Sequence, residues 1–200
     1  MKTVSERNGM IRRKAPAALL LFGCLFLLNA CATYVPPTPA APEEFSRDMN
    51  GSYDRTWSAI TYVAGASFFR IKAFEKASGL MTLDFDLKDV TPYVDCGTAA
   101  NPTTHQATPA LLALGLAAVK LSGTANINIR SEGPKRTAVQ FNSQYQLEGF
   151  RPGAYGTLEK VVEWRFNSGS SDSENLGILV TCRPSYKIER DFLNEVAARL

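Results

Sequence analysis

Two periods of apolar and polar residues alternate along this chain, and they predict its elements. Tyr53, Trp57, Ile60, Ala64 and Phe68 recur at steps of three and four, the spacing of one helical face, with Ser52 ahead of them as an N-cap. A helix over about residues 53–66 is expected. The period then shortens to two. Phe69, Ile71 and Ala73 alternate with Arg70, Lys72 and Phe74; after Ala77-Ser78-Gly79 the alternation resumes as Met81, Leu83, Phe85 and Leu87 against Thr82, Asp84, Asp86 and Lys88. That pattern predicts a hairpin with one buried face. Three further strands are expected: residues 125–129, residues 139–147 with Val139, Phe141, Tyr145 and Leu147 inward, and residues 158–166 with Val162, Trp164 and Phe166 inward. Gly133-Pro134 and Pro152-Gly153 mark the turns between them. The polar stretch 168–174 predicts a loop before a short strand at 178–182. Ile188, Phe192, Leu193, Val196 and Leu200 then predict a closing amphipathic helix.

An antiparallel sheet patterned this way buries one face, and the two amphipathic helices are the available cover for it. The expected fold class is therefore α+β, an antiparallel β-sheet covered by an N-terminal and a C-terminal helix in a two-layer sandwich. The segment 110–121 fits neither period: it is apolar or glycine almost throughout up to Lys120 and too short to span a bilayer. Two readings stay open for it, a buried helix or hinge under the sheet, or an exposed apolar flap that touches lipid or a partner.

Before this domain the pattern has no period at all. Arg12-Arg13-Lys14 precede residues 15–28, which carry no charge, a length that suits a secretory signal better than the ~20 residues of a spanning helix. Met10 offers a second start for the same leader. Pro36, Pro37, Pro39 and Pro42 favour an extended spacer of about 3.1 Å per residue, which would hold the domain tens of ångströms from any anchor. The chain thus divides into a signal peptide (1–30), a Cys31 and proline-rich linker segment (31–50) and a single domain (51–200). Removing the leader takes five of 22 Lys/Arg and one of 19 Asp/Glu, leaving 17 against 18 and a net charge of −1. Nucleic-acid binding, which needs clustered positive charge, is not expected.

Leu28-Asn29-Ala30-Cys31 resembles the lipobox of bacterial lipoproteins, whose cysteine takes a diacylglycerol and becomes the first residue after cleavage. The resemblance implies lipidation at Cys31, an acylated N-terminus too strongly held to be released, and, because Ala32 is not aspartate, the periplasmic face of the outer membrane. Cys24 then leaves with the signal. Cys96 and Cys182 remain as the only pair in an oxidising compartment and are read as a disulfide; two buried free thiols are the alternative. Both cysteines fall in phase with inward residues, which places such a bridge at the edge of the core. Tyr53-Asp54-Arg55-Thr56-Trp57, Lys76-Ala77-Ser78-Gly79-Leu80-Met81, Tyr93-Val94-Asp95-Cys96-Gly97, and Cys182 with Ser185 to Glu189 resemble a motif set of small proteobacterial lipoproteins. The first two are also similar to the helix-grip domains of the C-subunit lipoprotein of the outer-membrane β-barrel assembly machine. The resemblance implies a helix-grip-like form of the sandwich. This chain has one such domain where that subunit has two, so the subunit's partner does not carry over.

Candidate chemistry is sparse. Asp84, Asp86 and Asp89 are spaced so that two carboxylates share a strand face, but they lack the glycine and closing glutamate of a calcium loop and read as a solvated face. His105, the single histidine, stands in a polar stretch without Cys or carboxylate neighbours, so neither a metal site nor a serine triad is expected to form around it. No catalytic residue, metal or cofactor is assigned. The function expected is that of a lipid-anchored, non-catalytic envelope component that binds a protein partner. The alternative is a carrier holding a hydrophobic ligand between sheet and helix.

Overall fold

The computed structural model describes residues 34–38, 45–100 and 107–200. The stretch 1–30 expected to be a signal peptide, Cys31 and His105 lie outside the described residues. The first helix, α1 (Tyr53–Ala66), begins where Ser52 turns extended and its hydroxyl accepts the Arg55 N–H at 3.4 Å. It ends at Ser67, and it buries Trp57, Ile60 and Ala64 of the expected stripe together with Ala59 and Val63, whereas Tyr53 is half-buried and Phe68, beyond the helix end, is exposed.

Around it stands a six-stranded antiparallel sheet. β3 (Arg70–Glu75) and β4 (Leu80–Leu87) form the predicted hairpin, and β4 then pairs with β8 (Ala118–Gly133) from Leu80↔Asn128 to Leu87↔Leu121. β8 turns through Pro134-Lys135 into β9 (Arg136–Pro152), and the two run together from Gly133↔Arg136 to Ala118↔Phe150. Sixteen residues at ~3.3 Å each make β8 a ribbon roughly 50 Å long. The other side of β9 is shared: β2 (Ser46–Met49) takes its first part, Met49↔Thr137 to Ser46↔Gln140, and β10 (Leu158–Asn167) takes the rest. The strand order is β10-β9-β8-β4-β3, with β2 beside β9.

The alternation along these strands settles the core. Met81, Leu83, Phe85, Leu121, Ala125, Ile127, Val139, Phe141, Leu147, Trp164 and Phe166 are all buried. They form one cluster with the α1 stripe and with Ile188, Phe192, Leu193 and Val196 of the last helix, α3 (Lys187–Ala197). Phe141 of β9 meets Phe192 of α3 at 4.7 Å between ring centroids and Phe69 at 5.8 Å, so aromatic rings pack against one another within this cluster.

Two small sheets flank this body. β5 (Val94–Asp95), β12 (Leu179–Pro184) and β11 (Asp172–Asn175) form one; β1 (Tyr34–Val35), β6 (Thr98–Ala100) and β7 (Ala107–Pro109) form the other. Between the two sheets the expected Cys96–Cys182 disulfide is closed, with both residues buried.

Several expectations are corrected. All six residues of β3 are exposed, Ile71 and Ala73 included, because a bulge between those two breaks the two-residue alternation and no second layer reaches the strand. The segment 110–121 is neither one buried helix nor one flap. Ala110–Ala113 form the short helix α2, whose Ala110 and Leu111 are buried while Leu112 is exposed, and from Ala118 the chain is already β8. The polar stretch 168–174 is not all loop, since β11 begins at Asp172 and pairs with β12; Ile178 lies in the turn between them and is exposed. The linker does not run free of the domain either. Tyr34 and Val35 pair with Ala99 and Thr98, because Gly97 turns at φ +74° and a side chain there would meet the Val35 carbonyl oxygen at 2.2 Å.

Candidate functional site

The motif residues meet in space as two clasps. The Tyr53 hydroxyl donates to the Lys76 carbonyl and the Lys76 ammonium pairs with Asp54 at 2.7 Å, so the first motif is fastened to the hairpin turn that carries the second. In the other clasp Val94 and Asp95 pair with Pro184 and Arg183, and Cys96 is bonded to Cys182. There the Ser185 hydroxyl donates to the Pro92 carbonyl at 2.7 Å. The Tyr53 and Ser185 hydroxyls are spent on holding backbone carbonyls, Asp54 and Lys76 on each other, and the two cysteines on their bond.

A third buried cluster is unannounced in the sequence. Glu189, fully buried on α3, accepts from the Tyr145 hydroxyl at 2.6 Å and from the Ser168 hydroxyl at 2.9 Å, both at Oε1, while Oε2 has no partner. Burial, and then the neighbouring Glu189 carboxylate, hold the Tyr145 phenol well above its ordinary value, so the proton stays on tyrosine. Phe166 stacks on the Tyr145 ring at 5.3 Å and Phe85 meets its edge at 5.6 Å, which keeps the cluster away from water. Period-two reasoning places Tyr145 inward correctly; a glutamate on the apolar face of a closing helix was the available signal for its partner.

Asp84 and Asp86 share a face of β4 and Asp89 lies beyond its end, and each has partners of its own. Asp84 takes the Thr124 hydroxyl at 2.9 Å and Lys72 at 3.4 Å, Asp86 takes Lys120 at 3.3 Å, and Asp89 accepts the Thr91 N–H at 3.3 Å. Among the described residues no group of three or more His, Cys, Asp or Glu is placed to hold a metal ion. On the far strand Lys160 bridges Glu148 at 3.0 Å and Glu163 at 2.6 Å; those hydrogen bonds raise the lysine's pKa, and the one from Lys160 lowers that of Glu163. These are exposed pairs that fasten neighbouring strands.

What remains open to a partner is apolar. β3 ends the strand order, so one of its edges is unpaired among the described residues; Ile71 and Phe74 stand exposed on this strand, Phe74 at 66%, and Phe68 is exposed just before it. A cavity of about 400 Å³ opens beside α2, walled by Val94, Cys96, Leu111, Leu116 and Val119. No helix among the described residues is long and apolar enough to cross a membrane. No family model, no curated protein and no solved structure matches this chain.

Proposed function

We infer that this chain is a lipid-anchored component of the outer membrane's periplasmic face, held by Cys31, that works by binding another envelope protein rather than by turning over a substrate. The fold reading that goes with it is a helix-grip-like sandwich in which α1 and α3 lie on the inward face of the sheet, supported by the aromatic contacts of Phe141 with Phe69 and Phe192. One observation carries the partner role: the exposed side chains of Ile71 and Phe74 on the open-edged strand β3, with Phe68 exposed just before it. Lys72 and the bulge at Ile71 discourage indiscriminate edge-to-edge pairing, while the three apolar side chains stay available. That combination suits one defined partner and disfavours self-association.

A photo-crosslinking residue at Phe74, activated in native membranes, is expected to yield one discrete protein adduct, and Phe74→Glu should lose that contact without losing the fold. Labelling no more specific than from the exposed turn residue Lys135 would overturn the reading. Function that survives Phe74→Glu but is abolished by Asp84→Asn or Asp86→Asn in a stable protein would point to an enzyme instead. For the anchor, Cys31→Ser should leave an unprocessed or lipid-free chain in the aqueous phase of a detergent partition.

The cavity beside α2 favours a second reading, a carrier of a small hydrophobic ligand, since about 400 Å³ falls within the range of ligand pockets. Displacement of a fluorescent fatty acid that Ala110→Phe abolishes would support it.

A further inference from the structure

The lipid anchor proposed above was expected to stand at the end of a long spacer, and the position of Tyr34 changes that geometry. Its hydroxyl lies 3.1 Å from the carbonyl oxygens of both Cys96 and Thr181, to either of which it can donate, and it accepts the Thr181 N–H at 2.9 Å. Its backbone pairs with Ala99. Two residues, Ala32 and Thr33, separate this fixed point from Cys31, and the three steps of a fully extended chain cover at most ~3.6 Å each, about 11 Å in all. Whatever Cys31 is attached to lies that close to the domain.

The surface in that neighbourhood is apolar. Val35 pairs with Thr98, Thr98 pairs with Pro109, and α2 starts at the next residue, so two strand spacings of ~4.8 Å separate the N-terminal strand from the helix that exposes Leu112 at 73%. α2 is fastened to one end of the main sheet: the Arg151 guanidinium donates to the Leu114 carbonyl at 3.4 Å, and Ala117 N–H donates to the Phe150 carbonyl at 2.8 Å. That end also carries Leu158, opposite Pro152 and 56% exposed, and Val161, exposed in the bulge beside Phe150. Between Pro152 and Leu158, Tyr155 is wholly exposed and sits at φ +59°, an uncommon conformation for a non-glycine residue that turns an aromatic ring to solvent. The rim bears both signs of charge, Arg151, Glu159 and Lys160, so nothing there selects a charged ligand.

We propose that this end of the domain, presenting Leu112, Tyr155, Leu158 and Val161, rests on the phospholipid surface in which the anchor at Cys31 is embedded. The proposal deepens the envelope reading and rests on it for the anchor. The occupant is fixed by reach: with at most about 11 Å of chain between Cys31 and Tyr34, the bilayer is the apolar surface brought to this end of the molecule. Tyrosine and leucine side chains partition favourably at the boundary between headgroups and acyl chains. Contact made by apolar side chains under a mixed-charge rim should be insensitive to salt.

Tryptophan reports the contact, because the chain's own Trp57 and Trp164 are buried. The chain from Cys31 onward, which retains every described residue, is coupled through Cys31 to a maleimide headgroup in vesicles of phosphatidylethanolamine and phosphatidylglycerol with brominated acyl chains. Leu112→Trp and Leu158→Trp should lose most of their added emission to bromine quenching, equally at low and high salt, whereas Lys135→Trp at the opposite end of the β8–β9 ribbon should keep it. Quenching at Leu112→Trp and Leu158→Trp no greater than at Lys135→Trp overturns the proposal. Since the coupling is chemical, the result does not depend on acylation in the cell. An intact mass of the protein from membranes that lacks acyl groups would sink the anchor reading separately.

Discussion

Glu189 illustrates what a single side chain can demand of a core. A buried carboxylate is costly unless its oxygens are met, and here one oxygen collects hydroxyls from the middle of β9 and from the turn after β10 while the other collects none. Tyr145→Phe should cost about 1–3 kcal/mol of unfolding free energy in urea, because it strips a donor from a carboxylate that water cannot reach. The pH dependence follows from the same contact. Tyr145 keeps its proton in the folded chain past the usual phenol value of 10.0, at which the unfolded chain releases it. The folded state therefore binds the extra proton, its contribution to stability is complete below that value, and stability falls as pH rises above it toward the folded value. Denaturation midpoints taken across that alkaline range should decline less steeply in Tyr145→Phe than in the wild type.

At the scale of elements, the long amphipathic patterns were legible and the short exceptions were not. α1, β4, β9, β10 and α3 each bury the side chains their period selects, since one face of each meets a continuous core. β3 alternates just as well in sequence, yet has no layer to bury against; alternation records which residues could be buried and not whether anything covers them. β8 escaped in its first part because Gly123 interrupts the pattern where the Phe85 ring packs on the bare backbone, 2.5 Å from where a Cβ would stand. Gly123→Ala should consequently destabilise by more than the usual glycine substitution, as the Gln144 carbonyl crowds the same position at 2.2 Å. β1 was hidden by composition: a proline-rich run predicts extension, and an extended segment can as readily complete a sheet as float beside it. Gly97→Ala should dislodge β1 while sparing the main sheet, seen as faster amide exchange confined to residues near Thr98 and Thr181.

For the molecule as a whole, the open β3 edge and the apolar end lie far apart along one ribbon. Phe74 sits opposite Met81, whose partner on β8 is Ile127, nine residues or about 30 Å from Ala118 at the other end. The disulfide binds the intervening chain into one loop, so its reduction should cost about 4–5 kcal/mol on a chain-entropy basis and lower the melting temperature, with no free thiol at Cys96 or Cys182 before reductant is added. The docked Tyr34 has a mechanical corollary. Its hydroxyl grips Cys96 and the residue just before Cys182, so a pull on the chain ahead of Tyr34 enters the domain at a covalent crosslink. Until those few hydrogen bonds shear, the load bypasses everything between Pro36 and α1, and the helix is not peeled from its sheet. Tyr34 is in this sense a strain relief, the clamp that keeps a tug on a cable from reaching its solder joints.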